Sequence, residues 1–181
     1  MKNNVRDYIR KEFLDKDGYY TIGINLYKEF LLYNGLSVGE QLELNDEIFN
    51  YIDNKSEVIP NNYKIKIKFI GRKISDEDRK RIDYLIHEHY YVVMENIKRE
   101  LNKLTYKMIG LLLFGISLFT LCFFIVSKIS YNSLLLEFLS LVGSFSIWES
   151  FGIFIFDRRE FLNNYYGSLQ NYEMEIEFEK E

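Results

Sequence analysis

The chain has 181 residues, of which 48% are apolar and 28% charged, and a formal net charge of −4. That length allows one soluble domain and little more, and the acidic balance excludes a general nucleic-acid binder, which would present a basic surface. Its only cysteine, Cys122, excludes an intramolecular disulfide.

Met1 to Lys11 is polar and charged with no apolar core, so no secretory signal is expected to open the chain. Val5, Tyr8, Ile9 and Phe13 recur at helical spacing, with Arg6, Arg10 and Lys11 elsewhere around the wheel. Such a basic amphipathic helix can lie on an anionic membrane surface or pack on its own domain. Asp17-Gly18 then signals a turn, and Tyr20, Ile22, Ile24 and Leu26 alternate with polar or small residues as in a half-buried strand. Residues 27–43, broken by Asn34-Gly35 and Gly39, read as loop with at most one helical turn. Asn45 is a helix cap, with Asp46 and Glu47 in the first turn, and Leu44 and Phe49 stand where a hydrophobic staple would form. The helix so started covers about 46–53, and Pro60 marks a surface connection after it.

Tyr63 to Phe69 reads YKIKIKF, and Tyr172 to Glu179 reads YEMEIEFE. Both are strand patterns with one apolar and one charged face, and the charged faces have opposite signs. If the two strands are neighbours, lysines and glutamates share a face and relieve each other's repulsion. Otherwise they are two separate solvated faces.

Ser75 caps a long helical signal, with Asp76, Glu77 and Asp78 in its first turn and no glycine or proline from 76 to 109. Met94, Ile97, Leu101, Leu104 and Met108 follow 3-4-3-4 spacing, the register of a coiled-coil seam. The seam's partner is either the returning helix of the same chain or the equivalent helix of a second copy. Met108 to Val126 is 19 residues without a charge, and Leu134 to Phe156 is 23 residues with two glutamates, Glu137 and Glu149. At about 1.5 Å per residue each is long enough to cross a hydrocarbon core about 30 Å thick. With only 127–133 between them, the expectation is a transmembrane hairpin. Lys98, Arg99, Lys103, Lys107, Arg158 and Arg159 flank it on one side against Lys128 in the loop, which places both termini in the cytoplasm.

The expected architecture is thus an α+β membrane protein. A small cytoplasmic part at 1–75 leads to a stalk helix at 76–107, continuous with a first span at 108–126. An external loop at 127–133, a second span at 134–156, and a return helix with closing strand at 157–181 complete it. The sheet would combine N-terminal strands with the C-terminal one.

Glu149 is the foremost candidate for chemistry. A carboxylate within hydrocarbon costs at least about 2.5–3.5 kcal/mol, so it should be protonated, paired or facing a polar seam. Ser146 and Ser150 lie near its side of the helix, and matching depth across the hairpin would bring it near Gly115 and Ser117. It is either a proton- or ion-sensitive element or a packing residue. His87-Glu88-His89 does not make a metal site, because positions i and i+2 diverge by about 200° around a helix. No phosphate-binding glycine loop or nucleophile motif is present. No catalytic residue, metal or cofactor is therefore expected.

The chain resembles an uncharacterised family of bacterial two-span membrane proteins. Leu36-Ser37, Leu44-Asn45 with Ile48 to Asp53, Ile59-Pro60, His89-Tyr90, Gly143-Ser144-Phe145, Trp148-Glu149 and the acidic closing strand carry that resemblance. It covers most of 36–178 and implies the two-span topology, but no activity. The expected role is a non-enzymatic, membrane-anchored module for sensing, scaffolding or partner binding, self-associating through the stalk. Its partners would be the lipid bilayer, a second copy and an unidentified cytoplasmic protein. The alternative is a small oligomeric ion or proton channel, or a transporter accessory subunit, that uses Glu149.

Overall fold

The structure, a computed structural model, describes residues 14–26, 32–39, 42–71, 73–128 and 133–179. The amphipathic segment expected at 5–13 lies outside them, as does most of the loop between the apolar segments. In chain order the elements are β1 (Tyr19–Leu26), α1 (Asp46–Ser56), β2 (Lys64–Gly71), α2 (Asp76–Lys128) and α3 (Ser133–Gly152). A π-turn at Ile153–Asp157, α4 (Arg158–Tyr172) and β3 (Glu175–Phe178) complete the chain. The protein is α+β: three helical runs, two of them long and apolar enough to cross a membrane, and one small parallel sheet.

Local sequence explains where these elements start. Gly18 adopts φ +81°, a left-handed conformation that glycine enters without steric cost, and its N–H donates to Asp15 O at 2.9 Å. The chain then enters β1. At α1 the Asn45 side chain accepts the Glu47 N–H at 3.0 Å, and at α2 the Ser75 hydroxyl accepts the Asp78 N–H at 3.0 Å. Each cap satisfies a donor that the first helical turn leaves without a partner.

The sheet order is β1-β2-β3, all parallel. Parallel neighbours need crossovers: α1 lies in the connection from β1 to β2, and both long helical runs lie between β2 and β3. The lysine and glutamate strands are therefore adjacent, with Lys66 opposite Glu175 and Lys68 opposite Glu177. The closing strand is shorter than its alternation implies. Tyr172 ends α4, and only Glu175–Phe178 joins the sheet. Alternation specifies two faces, but helix propagation through Leu169 to Tyr172 overrides it at the strand's first residues: the Glu173 N–H donates to Leu169 O at 2.9 Å.

One face of the sheet presents Tyr20, Ile22, Ile24, Ile65, Ile67 and Phe69 to Ile48 and Ile52 of α1 and to Ile82, Ile86 and Tyr90 of α2, all buried in one cluster. The opposite face carries Tyr19, Thr21, Asn25 and the lysines and glutamates of β2 and β3. All-parallel sheets usually have both faces covered by apolar layers. Here interstrand ion pairs occupy the second face instead.

The chain divides into two compact units, residues 1–94 with 166–181 and residues 95–165. The second contains most of α2, all of α3 and the first half of α4. In it the helices run out and back, and Gly115 of one meets Gly143 of the other. A Cβ added at Gly115 would fall 2.8 Å from Gly143 O and 2.5 Å from Ile147 Cγ1. The seam read from Met94 to Met108 continues without a break: Leu111, Gly115, Leu118, Cys122 and Ile125 keep the 3-4 spacing, and every one is buried or half-buried. On α3 the matching positions are Leu136, Leu139, Gly143, Ser146 and Ser150, followed by Ile153 at the start of the π-turn. Continued past Ile153, that repeat would fall on Asp157, Glu160 and Asn164, which are exposed; the half-buried positions are Arg158, Phe161 and Tyr165, each one residue later. The π-turn supplies the extra residue, since its hydrogen bonds span five residues rather than four.

Candidate functional site

Three sets of side chains merit a site reading, two in the sheet-bearing unit and one in the helical unit.

In the helical unit, Ser150 is buried and its hydroxyl donates across the hairpin to Met108 O at 2.9 Å. Ser146 is buried as well, but its hydroxyl is satisfied within its own helix by Val142 O at 2.8 Å. Ser117 donates to Phe114 O at 2.7 Å and is exposed, so it takes no part in a common site with Glu149. The register of the hairpin also differs from the depth match read in the sequence. With residue 150 level with 108 and 143 level with 115, Glu149 stands beside the beginning of the first apolar segment, not beside Gly115 and Ser117. Its carboxylate lies 3.7 Å from Lys107 Nζ. The second apolar segment therefore overshoots the first toward the charged side by about two turns. This offset was hidden in the sequence because both segments were aligned by length, whereas the Gly115–Gly143 approach fixes their register. The buried face at Gly143, Ser146 and Ser150 has small-xxx-small spacing, which lets helix backbones approach closely.

The stalk residues Ile97, Leu101, Leu104 and Met108 are each half-buried within a single chain, as is Met94.

In the sheet-bearing unit, Lys66 lies at the middle of the charged face. Its ammonium is 2.9 Å from Glu177 Oε1, 3.8 Å from Glu175 Oε2 and 4.8 Å from the centre of the Tyr19 ring. The Tyr19 hydroxyl donates to Glu175 Oε1 at 2.6 Å, which raises the Tyr19 pKa. The Glu177 hydrogen bond is the largest influence holding the Lys66 pKa above its ordinary value. Lys66 is therefore a fixed cation. A lysine that acts as a nucleophile needs a depressed pKa, so this cluster is built to hold strands together.

The third set joins α1, α2 and α4. Buried Tyr90 donates to Asp53 Oδ1 at 2.8 Å, and burial, followed by the charge of Asp53, raises its pKa strongly. Asn171 Nδ2 donates to Ser56 Oγ at 3.0 Å and more weakly to Asp53 Oδ1 at 3.3 Å. Gln170 Nε2 reaches Tyr63 O at 2.7 Å and Pro60 O at 3.0 Å. The end of α4 is thus held to α1 and to the turn before β2, immediately ahead of β3. Sequence reading missed this set: its members are separated by as many as 118 residues, and no local pattern links them. Next to it, His89 stacks on Phe49 with ring centres 3.9 Å apart, and burial lowers its pKa. His87 faces elsewhere, toward Asp83 O and the Tyr172 ring. Tyr33, which bridges to Leu44 ahead of α1, donates to Asp78 Oδ1 in the first turn of α2 at 2.7 Å, and burial and that bond push its pKa up to about 12. Among the described residues, no three His, Cys, Asp or Glu side chains come together to hold a metal ion.

These features define an α+β chain with two apolar helices that pack on each other through small residues and a parallel sheet closed by ion pairs. No protein-family model matches the chain, and no curated protein or solved structure matches it.

Proposed function

We propose that the protein is a membrane-anchored binding module whose helical hairpin crosses a lipid bilayer and carries the sheet-bearing unit on one side. The observation that carries this reading is the inverted burial of the hairpin. Its buried positions are Gly115, Gly143, Ser146, Ser150 and Ile153, whereas Phe123, Phe138, Phe145, Trp148 and Phe156 are exposed. In water such a surface is a far larger apolar patch than soluble monomers carry; in lipid it is the ordinary arrangement. Lys98, Arg99, Lys103, Lys107, Arg158 and Arg159 flank the hairpin where the chain enters and leaves it, which favours a cytoplasmic location for both termini; the membrane is the bacterial inner membrane that the resemblance implies. Its role is to bind or hold a partner rather than to catalyse. The alternative, a channel using Glu149, draws no support from a carboxylate that pairs with Lys107 at one end of the apolar stretch.

The test is fractionation of the full chain expressed in bacteria. Retention in membranes washed with alkaline carbonate, with tags at both ends protected from protease added outside spheroplasts, is the expected result. A chain that remains soluble without detergent, or whose two ends lie on opposite sides, refutes the proposal.

A further inference from the structure

We propose that the outer edge of β3 receives an extended strand from a partner protein in which basic residues alternate with apolar ones. The inference rests on the reading of the sheet-bearing unit as a partner-binding module, and it names the chemistry of that partner.

The two edges of the sheet are not alike. On β1 the apolar residues are buried, and Leu14 forms an antiparallel bridge to Tyr20 on the same strand. On β3 the apolar Ile176 and Phe178 are only half-buried, and among the described residues no strand pairs with the side away from β2. The direction of the backbone groups follows from one bond. Glu179 N–H donates to Phe69 O at 2.9 Å, so Glu179, Glu177 and Glu175 turn their backbone groups toward β2. Alternate residues of a strand address opposite edges. The N–H and C=O of Ile176 and Phe178 therefore point outward, as a template for one more parallel or antiparallel strand.

Side chains select what can use that template. Glu175 and Glu177 keep about half of their surface open, at 53% and 51%, although both attend the same ammonium of Lys66. Two carboxylates sharing one lysine leave negative charge on the charged face. Like charges directly opposite are destabilising and opposite charges favourable. The glutamates thus repel a second copy of β3, a common guard on exposed edges, and accept a strand with lysine or arginine on that face. On the other face the incoming apolar side chains would extend the layer formed by Phe178 and Phe69, whose rings stack with centres 5.3 Å apart. The chain already contains such a pairing: β2, with lysines on one face and isoleucines on the other, lies against the inner edge of the same strand.

The probe is a fluorescein-labelled eight-residue peptide alternating lysine and valine, titrated by anisotropy against the full chain in neutral detergent micelles. Empty micelles are the blank. Saturable binding is expected, weakened by added salt, with no binding of the corresponding glutamate–valine peptide. Ile176→Pro removes one outward N–H that β2 does not use and should weaken binding at least tenfold, whereas Ile176→Ala should keep it within about threefold. The same loss is expected with unaltered protein when the peptide is N-methylated at every second residue, which reads the edge even if the proline variant misfolds. The proposal is overturned if the lysine peptide does not bind, if the glutamate peptide binds equally, or if N-methylation has no effect. Membrane retention of the chain is unaffected by any of these outcomes, so failure here is distinct from failure of the anchor.

Discussion

The sheet-bearing unit and the helical hairpin solve the same packing problem with opposite residues. In the first, isoleucines, phenylalanine and tyrosine are withdrawn from the surface, and the lysines and glutamates take the opposite face, where all but Lys66 stay open to solvent. In the second, Gly115, Gly143, Ser146 and Ser150 are withdrawn with Ile153, and most of the large apolar side chains stand outside. Burial of apolar area stabilises a fold only where the surroundings are water; where the surroundings are hydrocarbon, close backbone approach and interhelical hydrogen bonds remain. The contrast within one chain is what two different solvents would select. It also assigns different fragilities: the sheet unit should fail when methyl groups are removed, and the hairpin when they are added.

The sharpest test of that contrast pairs Ile67→Ala with Phe123→Ala. Ile67 is 0% exposed and Phe123 is 73% exposed. Removing Ile67 should destabilise the sheet unit by about 2–5 kcal/mol, through lost transfer energy and a cavity. Removing Phe123 should leave chemical denaturation of that unit in detergent unchanged within about 0.5 kcal/mol. Equal losses would break the comparison. The second test adds bulk. Gly115→Val drives a side chain into the Gly143 carbonyl, which is backbone and cannot swing aside, whereas the space around Gly110 is open. The hairpin register sets residue 136 level with 122, so a cysteine at Leu136 should form a disulfide with Cys122 on oxidation. Gly115→Val should reduce that yield severalfold, as expected of an overpacked site that costs about 1–3 kcal/mol, and Gly110→Val should not.

Much of this contrast is legible in the sequence, and for physical reasons. The 3-4 repeat from Met94, the alternation in residues 63–69, and the caps at Asn45 and Ser75 are local signals, and each became the element it implies. What local signals cannot carry is register between distant segments. The Lys–Glu pairing of β2 with β3 and the attachment of Asn171 to Ser56 join residues more than a hundred apart, and the level of Glu149 against Lys107 joins the two arms of the hairpin. Glu149 illustrates the limit. Its distance from the end of its own segment suggests depth, but the partner helix, offset by the Gly115–Gly143 approach, brings a lysine to it. The one-residue shift of the seam after Gly152 was also invisible, because a π-turn leaves no strong compositional mark.

Within the sheet unit a smaller effect separates apolar from polar support. Tyr90→Phe removes the hydroxyl that donates to the Asp53 carboxylate while keeping the ring, so the expected cost is about 1.5–3 kcal/mol, the net contribution of one hydrogen bond to a charged group. A loss as large as that of Ile67→Ala would mean that the polar cluster, and not the isoleucine layer, holds the unit together.

His89 offers the mildest perturbation, because it requires only a change of pH. Its imidazole is stacked on Phe49, and burial places its pKa below the free value of 6.5, against smaller opposing influences from Asp53 and Asp46. The unfolded chain therefore takes up this proton before the folded one does. Where the unfolded state binds more protons, stability rises with pH. The contribution of neutral His89 is complete above about pH 6.5, and it declines on acidification through that value until the folded imidazole itself titrates. Denaturation midpoints of the sheet unit should fall between pH 7.5 and 5.5, and His89→Phe, which keeps a stacking ring without the titration, should flatten that part of the profile. A wild-type midpoint that holds steady or rises over this interval would show that the carboxylates near His89 outweigh its burial.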